Sequence, residues 1–309
     1  MTDVGKPAWL KVRMQATEEY AALRSRLKSL QLHTICEEAK CPNQSECWGG
    51  GTATVLLMGD KCTRGCRFCS VKTANPMRVL DNDEPVRVAR AVKESGLTYI
   101  VLTSVDRDDL ADGGSSHIAR TVREIKAGSN VLVEVLMPDF RGDTTSLDRI
   151  IASGADVLAH NVETVRRLTP SVRDRRAGYD QSLAVLEHLK KASGGRVTKS
   201  SIMVGLGERH EELVQTMTDL RRVGVDALTI GQYLQPTQRH LPVVEFISPS
   251  RFAEYEKAAK DLGFGMVASG PFVRSSYRAG ELYLEGLART RNAEMDRQLP
   301  KQLQGKWTT

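Results

Sequence analysis

The stretch TATVLLMGDKCTRGCRFC, residues 52–69, joins a run of apolar residues to three closely spaced cysteines. The run TATVLLMG (52–59) is rich in apolar and β-branched residues, which is typical of a parallel strand buried on both faces. Cys62, Cys66 and Cys69 follow it in the spacing C-x3-C-x2-C. Because ligands bind at the carboxyl ends of parallel strands, this stretch predicts a ligand site directly beyond the first strand.

Five further runs of the same kind follow and alternate with amphipathic segments. They are YIVLTS (99–104), VLVEVLMP (131–138), DVLAHNV (156–162), KSSIMVGL (199–206) and ALTIGQYL (227–234). Between them, EPVRVARAVKESG (84–96) predicts a helix, since Pro85 suits its first turn and Gly96 its end, and RHEELVQTMTDLRRVG (209–224) predicts another. Six strand–helix units in series predict an α/β fold whose parallel sheet is either open or curled into a partial barrel.

All six cysteines of the 309-residue chain lie between Cys36 and Cys69, which is unsuited to a disulfide framework and indicates local ligation. The first three, Cys36, Cys41 and Cys47, have the spacing C-x4-C-x5-C. Neither triplet offers the four ligands that a structural zinc site needs. A four-iron, four-sulfur (4Fe-4S) cluster normally takes four thiolates, so a triplet leaves one iron open to a substrate, a cofactor or an unusual protein ligand. We therefore favour iron–sulfur clusters.

The second triplet resembles the C-x3-C-x-Φ-C signature of the radical S-adenosylmethionine (SAM) superfamily, since the aromatic Phe68 directly precedes Cys69. In that superfamily SAM binds the open iron, and an injected electron breaks its sulfonium to release a 5'-deoxyadenosyl radical. The cofactor supplies this step, while the protein binds, orients and excludes water.

The composition of the chain restricts its possible functions less than the cysteine spacing does. The net charge of +6 and the pI of about 9.0 admit an acidic partner or nucleic acid, but scattered Lys and Arg more often form only a solvated surface. No apolar run follows a basic start, and no stretch approaches the length of a membrane span. We expect a cytoplasmic protein that does not enter a membrane.

Polar residues follow several predicted strands. Thr103 lies at the end of the second strand, Asn161 and Glu163 at the end of the fourth, and Gly205 at the end of the fifth. Helix capping and loop formation would account for each of them singly. In a radical enzyme they would also suit the nucleoside site at the carboxyl edge of the sheet.

The C-terminal segment ASGPFVRSSYRAGELY, residues 268–283, contains the adjacent serines Ser275 and Ser276. A polar loop that opens a final helix, capped by one of them, would account for the segment. The first triplet lacks a fourth ligand, however, and a serine oxygen from a segment that folds back could supply it. These residues alone do not choose between the two serines.

The chain as a whole resembles the lipoyl synthase family. The resemblance rests on CEEAKCPNQSECW, CTRGCRFC, TSVDRDDLADGG, HNVET, TKSSIMVGLGE, TIGQYLQPT, HLPV and GPFVRSSYRAGE, which together span from about residue 33 to 281. Two departures are small: GGSS stands where an alanine is expected after the glycine pair, and the tail beyond about residue 284 has no motif.

The resemblance implies a partial (βα)6 TIM-like barrel and a specific reaction. Lipoyl synthases insert two sulfur atoms at C6 and C8 of an octanoyl chain that is amide-linked to a lysine of a carrier protein. The implied cofactors are two 4Fe-4S clusters and SAM. Cys62, Cys66 and Cys69 would hold the radical-generating cluster.

The auxiliary cluster, whose sulfides would be the sulfur source, is assigned by the same resemblance to Cys36, Cys41 and Cys47. A serine of RSSY would be its fourth ligand, and we prefer Ser276 over Ser275. A hard alkoxide is an odd match for a thiolate-ligated iron, which suggests a ligand that leaves when the cluster is dismantled.

For SAM itself we expect contacts from five positions at strand ends. They are Thr103, Asn161, Glu163, Val204 and Gly205. Glu163 would bond ribose hydroxyls and Asn161 the methionine end.

The resemblance divides the chain into three parts: an N-terminal extension with the auxiliary-cluster cysteines (1–51), a radical SAM partial barrel (52–265) and a C-terminal extension with the RSSY motif (266–309). It implies octanoylated carriers (the glycine-cleavage H protein and E2 domains of 2-oxoacid dehydrogenases), an electron donor such as ferredoxin or flavodoxin, and cluster-assembly proteins, but no nucleic acid and no membrane. A cluster of arginines is either a solvated helix face or a docking surface for an acidic carrier; its members are Arg166, Arg167, Arg173, Arg175 and Arg176.

Two other interpretations stay open. A methylthiotransferase acting on transfer RNA also uses two clusters, but such enzymes carry an appended RNA-binding domain and a different order of cysteines. A non-catalytic iron–sulfur or zinc protein, in which both triplets only stabilise the fold, would not respond to SAM.

Overall fold

The computed structural model describes residues 7–10, 17–39, 41–281 and 283. Its helices are α1 (Glu18–Ser29), α2 (Ile35–Glu38), α3 (Gln44–Gly49), α4 (Glu84–Ser95), α5 (Ser115–Gly128), α6 (Thr144–Ile151), α7 (Thr169–Val172), α8 (Tyr179–Ala192), α9 (His210–Arg222) and α10 (Pro249–Asp261). Its strands are β1 (His33–Thr34), β2 (Thr52–Leu57), β3 (Lys61–Cys62), β4 (Lys72–Thr73), β5 (Tyr99–Ser104), β6 (Leu132–Leu136), β7 (Val157–Ala159), β8 (Val197–Val204), β9 (Ala227–Gln232) and β10 (Met266–Gly270). The predicted tail beyond about residue 284 lies outside these residues.

Within the described chain, eight strands form one sheet in the order β1-β2-β5-β6-β7-β8-β9-β10. From β2 to β10 the strands pair in parallel, while β1 pairs antiparallel with β2. The six predicted strands are all present, and so are the predicted helices α4 and α9. The sequence analysis missed β1 and β10; the latter begins at the first residue of the predicted C-terminal extension.

The sheet curls into a partial barrel. A cavity of about 190 Å³ is lined by residues from six successive strands, β5 to β10, so their side chains converge on one interior. Outside the barrel, one apolar core joins α4, α5 and α6 to the outer faces of β2, β5 and β6. A second core joins α8, α9 and α10 to β8 and β9, and Leu213, Met217 and Leu220 of α9 are fully buried in it.

The segment before β2 packs on the edge of this barrel. Tyr20 and Leu27 of α1 are buried with Trp48 of α3 in the first apolar core, and the Tyr20 and Trp48 rings stack with centroids 5.3 Å apart. Strand β1 adds the segment to the sheet. The first cysteine triplet is therefore held against the barrel. No helix in the described residues is long and apolar enough to cross a lipid bilayer.

A buried ion pair lies inside the barrel. Lys199 Nζ is 2.9 Å from both carboxylate oxygens of Glu134, and the Tyr99 hydroxyl donates to Glu134 Oε2 at 2.7 Å. Lys199 is 4% exposed and Glu134 1%. Burial, together with the neighbouring carboxylate, raises the pKa of Tyr99 well above its usual value, so the phenol remains a hydrogen-bond donor.

The segment after β10 covers the amino ends of the strands. Ala279 is buried against Tyr99, Val101 and Val157. At Gly280 a Cβ would lie 2.9 Å from Tyr99 Cβ, so the close approach requires glycine. This contact brings the C-terminal segment back to the barrel.

We predict that Lys199→Met lowers the free energy of unfolding by about 3–5 kcal/mol, because it leaves the Glu134 carboxylate buried without its cation. The double variant Lys199→Met/Glu134→Gln removes both charges and keeps an acceptor for Tyr99, so most of that loss should be recovered. Urea unfolding measures both values. A double variant as unstable as the single one would contradict this explanation.

Candidate functional site

The second cysteine triplet forms a loop beyond the carboxyl end of β2. Its sulfur atoms accept hydrogen bonds from backbone amides: Arg64 N and Asp106 N lie 3.4 and 3.3 Å from Cys62 Sγ, and Asp174 N lies 3.3 Å from Cys66 Sγ. Asp106 follows β5 and Asp174 follows α7. Segments from three parts of the chain therefore hold these sulfur atoms.

The thiols of this triplet are protonated at neutral pH when no metal is bound. Burial raises the pKa of Cys62 and Cys66 to about 12 and that of Cys69 to about 11. Because metals bind the thiolate, a cation must displace these protons. Burial also raises the pKa of the adjacent Asp106 carboxyl to about 6.

Arg64, inside the cysteine loop, is the centre of a buried ion-pair network. Its guanidinium is bidentate with Asp108, at 2.9 and 3.0 Å, and with Asp139, at 2.8 Å for both bonds. Although burial opposes it, these bonds lower the pKa of Asp139. Asp108 follows β5 and Asp139 follows β6, so Arg64 joins the cysteine loop to two neighbouring strand ends.

Arg176 extends this network from the segment before α8. Its Nη2 donates to Thr63 O at 2.7 Å, and its Nε donates to Asp174 Oδ1 at 2.8 Å. Its Nη1 lies 3.2 Å from Asp108 Oδ2. Asp174 also accepts from Gly65 N at 2.9 Å. Arg176 therefore holds the cysteine loop in place.

The proposed docking role for the neighbouring arginines is not supported. Arg173 is 7% exposed and donates to Ser182 Oγ at 2.8 Å, so it cannot meet a partner's surface. Arg176 is committed to its carboxylates. Among the described residues, Arg175 is the member of this arginine cluster that is exposed and forms no ion pair.

The first cysteine triplet lines a second cavity together with the C-terminal segment. About 280 Å³ of space, part of it open to solvent, lies between Cys36, Cys41, Cys47 and Ser276, with Thr52 and Thr54 of β2 beside them. Ser275 is not among the lining residues. Burial raises the pKa of Cys36 to about 12 and of Cys47 to about 11. The arrangement brings the three thiols and the Ser276 hydroxyl to one cavity.

Specific contacts hold the C-terminal segment at this cavity. Asn43 Nδ2 donates to Phe272 O at 2.5 Å, and the Tyr277 hydroxyl donates to Glu46 Oε1 at 3.0 Å. At Gly231 of β9 a Cβ would lie 2.0 Å from Val273 O, so the segment crosses the barrel rim where only glycine allows it.

The two cysteine segments touch each other. Ser70 Oγ, directly after Cys69, donates to Glu38 O, two residues after Cys36, at 3.0 Å. Cys36 is buried in the same apolar core against which Cys62 packs. The segments that carry the two triplets therefore adjoin at the β2 edge of the barrel.

No three Cys, His, Asp or Glu side chains of the described residues converge on a single metal-ion position. In a 4Fe-4S cluster each thiolate binds a different iron, so the cluster does not require such convergence.

Asn161 and Glu163 meet beyond β7. Asn161 Nδ2 donates to Glu163 Oε1 at 3.1 Å, and burial raises the pKa of Glu163. Its backbone has φ of +67°, a conformation that costs energy for this residue type and is concentrated at functional sites. The Glu163 carboxylate adds to the raised pKa of Cys69, so the two side chains are near each other. Thr103 shares the interior face of β5 with Tyr99.

Val204 and Gly205 form a tight turn at the end of β8. Gly205 has φ of +98°, and a Cβ there would lie 2.2 Å from Gln232 Nε2. Glu208 accepts from the backbone amides of Gly205 and Leu206, at 2.5 and 2.9 Å. Gln232 Nε2 donates to Val204 O at 3.2 Å. The side chains of Glu208 and Gln232 thus fix the backbone of Val204 and Gly205, where we expect SAM to make contact.

Sequence reasoning gave no role to several residues that build this site. They are Arg64, Asp139, His160, Gln232 and His240. His240 Nε2 lies 2.9 Å from Cys69 O. His160 contacts Met137 O and Ser182 Oγ, while Arg64, Asp139 and Gln232 form the hydrogen bonds already given. Asp139 follows the third predicted strand, so the strand-end rule used for other residues would have found it. Gln232 and His240 lie in the quoted segments TIGQYLQPT and HLPV, but these segments assign them no role, because their partners are distant in sequence.

Comparisons with known proteins match the chain to one family. A family model described as the N-terminal domain of lipoyl synthase matches residues 3–41, and the radical SAM superfamily model matches residues 56–220. The chain is 59% identical to lipoyl synthase from Anaeromyxobacter dehalogenans (strain 2CP-C), covering 92% of this chain and 97% of the relative. It is 56% identical to mitochondrial lipoyl synthase from Drosophila pseudoobscura pseudoobscura, covering 94% and 79%.

Solved structures of low identity share the fold. The hydrogenase maturase HydG from Carboxydothermus hydrogenoformans is 15% identical, with a TM-score of 0.57 over 87% of this chain and 68% of that one. SuiB from Streptococcus suis, solved with S-adenosylmethionine, is 9% identical, with a TM-score of 0.54 over 71% and 51%. The partial-barrel prediction is thereby confirmed.

His160 gives a pH prediction. Its ring nitrogens lie 2.9 Å from Met137 O and 2.9 Å from Ser182 Oγ, and burial, with the Arg173 charge, lowers its pKa from 6.5 to about 4. The folded state therefore binds fewer protons, so this histidine contributes stability above pH 6.5 that is lost as pH falls towards 4. In thermal melts, His160→Gln should lose less melting temperature between pH 7 and 5 than the wild type. Equal losses would contradict the assignment.

Proposed function

Because this chain belongs to the lipoyl synthase family of the radical SAM superfamily, we propose that its two cysteine triplets hold two 4Fe-4S clusters with different tasks. The enzyme is a sulfurtransferase that inserts two sulfur atoms at C6 and C8 of an octanoyl chain bound to a carrier-protein lysine. Family membership excludes the transfer RNA methylthiotransferase and the non-catalytic protein considered above.

The first proposal concerns the ligands. Cys62, Cys66 and Cys69 hold the radical-generating cluster and leave one iron for SAM. When bound, this cluster would supply one 5'-deoxyadenosyl radical from each of two SAM molecules, one for the hydrogen at C6 and one for the hydrogen at C8, and the auxiliary cluster would supply the two sulfur atoms. The protein's own part is to hold the loop, through Arg64 and Arg176, and to keep the thiols buried from water.

The auxiliary cluster is assigned to Cys36, Cys41, Cys47 and Ser276. The observation that carries this proposal is that the three thiols and Ser276, but not Ser275, line one cavity. The residues fit the group, because three thiols and the Ser276 hydroxyl line one space and the buried thiols need a cation to ionise. Arg274 also lines the cavity. Burial raises the pKa of Cys41, and the positive charge of Arg274 opposes that rise.

SAM is proposed to bind Thr103, Asn161, Glu163 and the backbone of Val204 and Gly205. The support is their position: they lie at the carboxyl ends of β5, β7 and β8, and Glu163 is near Cys69. The fixed, glycine-containing turn after β8 allows a ligand to approach the backbone closely.

The remaining assignments follow from the family. We propose that residues 1–51 and 266–309 serve the auxiliary cluster and 52–265 the radical reaction, although β10 of the second extension completes the sheet. The H protein and E2 domains are the proposed carriers, ferredoxin or flavodoxin the proposed donor, and cluster-assembly proteins the source of iron and sulfide. We propose the cytoplasm as the compartment; several relatives are mitochondrial.

The direct test is the intact mass of an octanoyl-lysine peptide after anaerobic incubation with reconstituted protein, reductant and SAM. Two sulfurs in place of two hydrogens are expected. An unchanged peptide beside free 5'-deoxyadenosine would contradict the substrate assignment while retaining the radical chemistry.

The two adjacent serines provide a matched pair for the ligand assignment. Ser276→Ala should reduce the dithiolated product by at least about 100-fold, beyond the loss usual for a residue behind the metal ligands, while 5'-deoxyadenosine still forms. Ser275→Ala should remain within a few-fold of wild type. A larger loss at Ser275 than at Ser276 would reverse the assignment.

A further inference from the structure

Two large apolar side chains project into solvent beside the second triplet. Met77 is 75% exposed and Val79 is 72% exposed. Other large exposed apolar residues of the described chain, Val244 at 62% and Val86 at 48%, are less open to water. An exposed apolar pair beside an active site marks a surface that binds a partner.

The backbone that presents them is strained and firmly held. Met77 and Arg78 have φ of +56° and +59°, which is unfavourable for both residue types. Arg78 N donates to Asp109 Oδ2 at 2.8 Å, and Arg107 Nη2 donates to Val79 O at 2.9 Å. Arg107 itself is 1% exposed and bidentate with Asp109, at 2.8 and 2.9 Å. A buried arginine thus holds an exposed apolar loop in place.

Exposed basic residues lie in this loop and on the strand pair that precedes it. Lys61 and Lys72 are register partners on the parallel pair β3 and β4, and both are exposed. Neither lysine forms an ion pair with any described residue, and like charges on paired positions repel each other. Arg78 is exposed between Met77 and Val79. An acidic surface would relieve this repulsion.

The loop is joined directly to the cysteine segment. Lys61 precedes Cys62, and Ala74 N donates to Cys62 O at 2.9 Å. A protein bound at this loop would therefore bring a lysine arm close to the radical-generating site.

We propose that Lys61, Lys72, Met77, Arg78 and Val79, here called the rim patch, dock the folded domain that carries the octanoyl-lysine. The patch fits an acidic surface with an apolar centre, since charge complementarity guides association and apolar contacts at the centre supply affinity. The proposal rests on the proposed function, and it replaces the arginines near Arg173 as the docking surface.

The test compares two substrates, an octanoylated glycine-cleavage H protein and a short octanoyl-lysine peptide, with dithionite as reductant so that no donor protein is needed. Met77→Ser/Val79→Ser should lower kcat/KM for the H protein by about tenfold or more, the loss expected at the centre of an interface. Turnover of the peptide should stay within about twofold. Val86→Ser, an exposed apolar residue on the outer helix α4, is the matched control and should leave both substrates unchanged.

Charge is tested separately. Lys61→Glu/Lys72→Glu should weaken H-protein binding at low salt, measured by calorimetry, and should reduce the salt dependence of that binding.

Two results for Met77→Ser/Val79→Ser would overturn the proposal. Equal losses of kcat/KM with H protein and with peptide would mean that the loop shapes the active site. No loss of kcat/KM with either substrate would place docking elsewhere. Wild-type protein that binds H protein but never converts the peptide would contradict the proposed function instead.

Discussion

The buried guanidinium of Arg64 is the constraint on which the radical-generating site depends. It lies between the first and second cysteines of the loop, and it is 4% exposed. A charge so deeply buried is tolerated only with well-placed partners, and Asp108 and Asp139 supply four hydrogen bonds between them. Because these carboxylates follow different strands, the same ion pairs that satisfy Arg64 also fix the loop over the barrel. The position of the three sulfur atoms is thus set by the sheet rather than by the loop itself.

A second constraint is the return of the C-terminal segment. The contacts between Asn43 and Phe272 and between Tyr277 and Glu46 join residues that are 229 and 231 positions apart in the sequence. Gly231 and Gly280 permit the close approaches on either side. The segment thereby closes the barrel floor and brings Ser276 to the first triplet.

Much of the fold could be predicted because the parallel strands are continuous apolar runs. The exceptions have physical reasons: β1 is two residues long, and β10 consists largely of small residues, MVASG, whose burial depends on its neighbours. The cysteine spacing is the basis of the proposed ligand groups. By contrast, the arginines near Arg173 looked like a solvated surface, because their carboxylate and hydroxyl partners lie elsewhere in the chain. A sequence pattern shows where the charged residues lie, but the tertiary fold decides which of them form ion pairs and hydrogen bonds. The same limit applies to Gln232 and His240, and to the positive φ of Glu163.

The central claim is that one triplet leaves an iron for SAM while the other is completed by the protein. The most direct measurement is electron paramagnetic resonance of two reduced, reconstituted variants, one with Cys36, Cys41 and Cys47 replaced by serine and one with Cys62, Cys66 and Cys69 replaced. The account predicts that adding SAM changes the signal of the first variant only, because only the second triplet keeps an accessible iron. A signal that responds in the second variant, or in neither, would contradict the division of tasks between the two triplets.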